Sequence, residues 1–156
     1  MIKITPIIPR GKSKLNSADQ LRAVWAGLDD AKDEALKDFE KTTATWSHGV
    51  DFAAKKQADG YLLGTDNQIW KWGDKGTKAH TIVASKRALR FRGGYKAKTR
   101  PAWIGSGAGG ATGSVVFRKI VHHPGTKARN WSTLIGKRWR SLLGTYVQKR
   151  ISEAMR

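Results

Sequence analysis

The sequence predicts an α+β domain, and three observations carry that prediction. An apolar stripe recurs at three- and four-residue steps over residues 18–43. Short β-type segments bounded by turn residues fill the middle of the chain, and a second helical stripe runs from residue 131 nearly to the end. Antiparallel strands clustered between two amphipathic helices place both stripes on one sheet face.

Residues 1–15 read as an extended arm, because Pro6 and Pro9 oppose helix and leave the Ile side chains free to dock. Residues 16–156 form the single domain. In the string NSADQ, Ser17 has the spacing of a capping box with Gln20, which starts the first helix. Leu21, Val24, Trp25, Leu28, Ala35, Leu36 and Phe39 make its apolar stripe. Asp29, Asp30, Asp33, Glu34, Asp38 and Glu40 are expected on the opposite, solvated face. YLLGT and QIWKW then flank Asp66 and Asn67 as a predicted hairpin, closed by Asp74, Lys75 and Gly76. TIVAS and ALRFRG follow as strands. Residues 93–114 hold seven glycines and no acid, which predicts a long, flexible, basic loop. VVFRKIV reads as one further strand, turned at Pro124 and Gly125 in a type II arrangement. In the last helix, Trp131, Leu134, Ile135, Trp139, Leu142, Leu143, Tyr146, Val147 and Ile151 share a face. Gly136 and Gly144 weaken that helix by about 1 kcal/mol each relative to alanine, so tertiary packing must hold it.

The chain has 156 residues, enough to bury about 70% of its unfolded surface in one core. It has no cysteine, which excludes disulfides, thiolate metal sites and thiol nucleophiles. The N-terminal segment lacks the apolar core of a signal peptide, and no apolar run approaches the roughly 20 residues that span a bilayer, so a soluble protein without membrane contact is expected. The net charge of +18 is segregated: residues 1–74 carry 11 Lys/Arg against 11 Asp/Glu, and residues 75–152 carry 18 Lys/Arg with no acid. Such a field attracts nucleic acid or an acidic protein surface.

Catalytic patterns are missing. His48, His80, His122 and His123 fit no metal-binding spacing, and adjacent His122 and His123 on a strand point to opposite faces. No GxSxG elbow occurs, and the acids sit where solvent takes them by default, so a small basic nuclease lacks its acid–base pair. GSGAGGATG matches neither phosphate-loop order and reads as linker. No catalytic residue, cofactor or metal is expected. Trp25, Trp131 and Trp139 fall on helical stripes and read as core; Trp70 and Trp72 alternate and read as one sheet face. Trp103 has a purpose only if its loop folds back or docks on a neighbour. KRALRFRGGYKAKTR interleaves cations and aromatics, making Arg90, Arg92, Lys96, Lys98, Arg100 and Trp103 candidates for a loop that meets DNA.

The word GTKA occurs twice, as Gly76-Thr77-Lys78-Ala79-His80 and within His123-Pro124-Gly125-Thr126-Lys127-Ala128-Arg129. With GGYKAKTRP at 93–101 and the glycine-rich loop between, residues 45–155 resemble the neck or tail-completion proteins of long-tailed bacteriophages. The family pattern ends its second motif in Pro-Phe, where this chain has Asn130-Trp131. The resemblance implies a non-catalytic virion protein at the head–tail junction. It would be assembled in the host cytoplasm as a homo-oligomeric ring around the DNA channel, six-fold before twelve-fold. Connector and tail-tube proteins would be its neighbours. Gly76, Thr77, Lys78, His80, His123, Pro124, Gly125, Thr126, Lys127 and Arg129 are then the subunit-interface candidates, with the acidic first helix facing the basic half of the next copy. The alternative is a stand-alone basic nucleic-acid-binding module, favoured by the uncompensated charge and opposed by two helices that spend their apolar faces on a core.

Overall fold

Residues 1–5 and 16–156 are described by a computed structural model of the chain. The expected α+β class is found, as three helices with small antiparallel sheets. Helix α1 spans Ser17–Lys41 and α3 spans Trp131–Ala154. Asn16, rather than Ser17, caps α1: its side-chain oxygen accepts the Asp19 N–H at 2.9 Å. In α3 the residues Trp131, Ile135, Trp139, Leu143 and Val147 are buried at four-residue steps, as the stripe predicts. The helices pack closely because Gly27 removes a side chain where α1 crosses α3; a Cβ there would lie 2.6 Å from Val147 Cα.

Beneath them lies a three-stranded antiparallel sheet. Strands β1 (Ile2–Ile4), β2 (Ala53–Gln57) and β3 (Gly60–Gly64) stand in the order β1-β3-β2, with Ile2 opposite Leu63 and Ile4 opposite Tyr61. Ile2, Ile4, Tyr61 and Leu63 join the helical core. Residues 2–4 of the expected arm are therefore an edge strand of the domain, and Ile2 sits against Gly136, which explains one of the two glycines inside α3. Pro6, Pro9 and the rest of residues 6–15 lie outside the described residues.

The hairpin expected around Asp66 and Asn67 is absent, and this is a correction. Gln68–Lys75 is helix α2, capped by Asn67, whose side chain accepts the Trp70 N–H at 3.0 Å. Trp70 and Trp72 consequently diverge: Trp70 is buried, while Trp72 is 51% exposed. Trp70 stacks on Trp131 at 5.6 Å, and its Nε1–H donates to Thr42 Oγ1 at 2.9 Å. The predicted single strand VVFRKIV is also two, β8 (Val115–Arg118) and β9 (Ile120–His123), broken at Lys119.

The acids of α1 are not all solvated. Asp38 is buried beside Phe39, where its Oδ2 accepts the Trp139 Nε1–H at 2.9 Å and Lys41 and Arg138 pair with it at 2.9 and 3.4 Å. Asp30 takes Arg150 of α3 as a bidentate partner at 2.7 and 2.9 Å, and the bond to that guanidinium holds its carboxyl below the usual range. The first helix thus spends two carboxylates on its own α3. No helix among the described residues is long and apolar enough to cross a membrane.

Candidate functional site

Everything between α2 and α3 is built on one two-stranded ribbon. Strand β4 (His80–Val83) pairs with β9, β5 (Leu89–Arg92) with β8, and β6 (Tyr95–Lys96) with β7 (Gly110–Ala111), all antiparallel. The outgoing strand carries residues 84–88 where the returning strand carries only Lys119, so the ribbon bends there.

Its base answers what the repeated word does. Thr77 and Thr126 form a reciprocal antiparallel bridge, each N–H donating to the other's carbonyl at 3.0 and 3.1 Å. His80 lies opposite His123 in the same register. The two GTKA loops therefore clasp each other inside one protomer. Both glycines are required: Gly76 and Gly125 have φ of 75° and 85°, and a Cβ on Gly125 would collide with the Thr77 carbonyl oxygen. The His80 and His123 rings stack at 5.0 Å. His80 Nδ1 lies 2.9 Å from the Lys78 carbonyl, so it carries the proton, whereas His123 Nδ1 accepts the Gly125 N–H at 3.0 Å. Among the described residues no three His, Asp or Glu side chains gather into a metal-holding group.

Of the predicted interface residues, Gly76, Thr77, Gly125 and Thr126 are thus used internally, while Lys78, Pro124 and Lys127 stand exposed. The turn expected at Pro124 and Gly125 is corrected, because the pairing runs on in one direction from His80–His123 to Thr77–Thr126. Arg129 is corrected from a surface cation to a buried one, 7% exposed. Its Nε–H donates to Thr99 Oγ1 at 3.1 Å and its Nη1–H to the Lys127 carbonyl at 2.7 Å. Arg129 ties the ribbon's far loop back to its base.

The glycine-rich loop is more structured than expected. It is pinned along its length: Thr45 Oγ1–H donates to the Gly107 carbonyl at 2.8 Å, Ser106 Oγ–H to the Lys41 carbonyl at 3.2 Å, and Lys98 to the Thr45 carbonyl. Trp103 resolves in favour of folding back. Its carbonyl accepts the Trp131 Nε1–H at 3.1 Å, and Arg100 covers its ring at 4.8 Å.

What remains exposed is the bent middle of the ribbon. Arg90 and Arg92 are open to solvent there, and Lys96 is exposed farther along, in β6. Val83 and its cross-strand partner Ile120 are 65% and 53% exposed, and Phe117 is 59% exposed. No Lys or Arg among the thirteen from residue 75 to residue 129 forms an ion pair with any described residue. Sequence reasoning missed the role of Asp74, the last acid before the basic half, which is buried. Its two carboxylate oxygens accept the Ser132 N–H at 2.9 Å and the Ser132 hydroxyl at 2.6 Å, so it caps α3 across the fold in place of Asn130, whose side chain makes no cap. Comparisons with protein-family models, with curated proteins and with solved structures find no match to this chain.

Proposed function

We propose that this chain is a structural virion protein of a tailed bacteriophage, a ring-forming subunit of the head–tail junction with no catalytic role. The observation that carries the reading is the exposed apolar pair Val83–Ile120, with Phe117 nearby, on a ribbon no other strand supports. A two-stranded ribbon is marginal in water, and apolar side chains held out on one gain stability when a neighbour covers them. The GTKA motifs that resemble the neck family act, in this reading, as the clasp that presents the ribbon rather than as the contact itself. The ring is proposed as six-fold, with connector and tail-tube proteins on its two sides and the virion as its place of action.

The test is the double substitution Val83→Ser, Ile120→Ser in phage assembled with the variant as its only source of this protein. The isolated subunit should keep its unfolding midpoint, while the variant should be missing from purified particles and leave unjoined heads and tails. Normal incorporation would remove the ribbon from the interface. A Lys127→Glu, Arg129→Glu pair is the poorer test, because buried Arg129 would upset the fold itself. The second reading, a stand-alone nucleic-acid-binding module, draws on the unpaired ribbon cations; tight oligonucleotide binding by a monomer that never enters particles would favour it.

A further inference from the structure

We infer that the β5–β8 face of the ribbon is a contact surface for the phosphate backbone of duplex DNA. In antiparallel pairs, residues opposite each other share a face. Arg90 lies opposite Phe117 and Arg92 opposite Val115, so both guanidiniums and one exposed phenyl ring stand on the same side. All four residues are exposed. Lys86 and Arg87, in the extra residues at the bend, and Lys119 across from them are exposed next to it in the chain.

A second copy of the chain offers little spare negative charge to match these cations. Residues 1–74 are net neutral, and their carboxylates are already engaged: Asp30 and Asp38 with α3, Asp19, Asp29, Asp33, Glu34, Asp59 and Asp66 with nearby Lys or Arg, and Asp74 with Ser132. Only the Glu40 and Asp51 carboxylates lack an ion pair or hydrogen bond among the described residues, against eleven Lys and Arg between residues 76 and 128. A polyanion from outside the chain therefore matches this surface better than a second copy does. Duplex DNA supplies one charge per about 1.7 Å of axis, and its major groove, about 12 Å wide, admits a two-stranded ribbon. Single-stranded nucleic acid fits less well, because such sites stack successive bases on several aromatic rings and this face carries only Phe117.

The inference does not rest on the ring reading, since an isolated subunit suffices to test it. Binding of the whole chain to a labelled 30-base-pair duplex would be followed by fluorescence anisotropy between 50 and 200 mM salt. Duplexes of unrelated sequence should bind alike, with affinity falling steeply as salt rises. Arg90→Ser, Arg92→Ser should lower the slope of log K against log salt by about two, roughly 0.9 for each phosphate that is no longer neutralised. Lys137→Ser, Lys149→Ser, on exposed positions of α3, should leave that slope unchanged. No binding at 50 mM, equal flattening by the α3 pair, or poly-glutamate bound as tightly as duplex would each overturn the assignment, the last pointing to an acidic protein instead. Loss of DNA binding would leave particle incorporation, and with it the ring reading, untouched.

Discussion

The helical head and the ribbon solve opposite problems with the same alphabet. In the head, every charge that folding buries finds a partner: Asp38 has Trp139, Lys41 and Arg138, and Asp74 has Ser132. Along the ribbon the strands satisfy one another's backbone while the cations and the large apolar side chains of its middle are left open. The lesson is that stability is concentrated on one side of the GTKA clasp and unspent interaction capacity on the other. Among the described residues the halves are joined at the clasp, at the Arg129, Trp131 and Trp103 cluster, and where Lys41 and Thr45 bond Lys98, Ser106 and Gly107 of the ribbon's loop.

The largest way to break the comparison is through Trp131. It is fully buried, stacks on Trp70, approaches Trp46 at 6.3 Å, and reaches the ribbon loop through its indole N–H. Trp131→Ala should cost about 3–5 kcal/mol in urea unfolding, a loss large enough to threaten the whole domain. Trp131→Phe keeps much of the packing and removes the bond to Trp103, so it should cost less and expose the loop at 93–114 to protease first. Equal effects from both substitutions would mean that head and ribbon are one cooperative unit.

A smaller, more selective effect is expected at the clasp. Gly125→Ala places a Cβ at φ 85° and against Thr77, a backbone penalty of about 1–2 kcal/mol before the clash is counted. Amide exchange should quicken in residues 77–83 and 120–126 while α1 and α3 keep their protection. Protection lost uniformly would show that the ribbon is not separable from the head.

How far the residues announced this arrangement depends on which side of the clasp they lie. The helical stripes were legible because burial in α3 follows its four-residue period with no exception from Trp131 to Val147. Asp38 was misplaced, although it sits seven residues after Ala31 and so on the buried stripe; a charge there signals a partner, and Trp139 is that partner. QIWKW passed for a strand because Trp70 and Trp72 alternate. The buried spacing that decides it is Trp70 to Asp74, hidden because the second residue is polar. The clasp had a signal that went unread. Thr77 precedes His80 by three residues and Thr126 follows His123 by three, which is the mirrored order an antiparallel pair requires. Taken singly, each GTKA looked like a surface loop. The outward face of the ribbon has no such internal check, because its partners are not in the chain.

The smallest expected effect concerns the ion pair that closes α1 on the far end of α3. Arg150 holds the Asp30 carboxyl below its ordinary value of 3.8, and Arg150 itself is raised by the same contact. A carboxylate with a depressed folded pKa contributes stability that is present above the unfolded value and lost as pH falls through the lower folded one. The head should therefore lose a small increment of stability below 3.8, and Asp30→Asn should remove that part of the acid limb while changing little at neutral pH. Both side chains remain about a third exposed, at 32% and 39%, so solvent screening keeps the increment modest. The ribbon holds no carboxylate and cannot contribute to this limb. Amide exchange followed from pH 5 to pH 3 should accordingly show α1 and α3 loosening while the β4–β9 ladder changes in step only if it unfolds with them. A ladder that weakens first, with Asp30→Asn leaving the head's acid profile unaltered, would place the acid-sensitive contacts on the wrong side of the clasp.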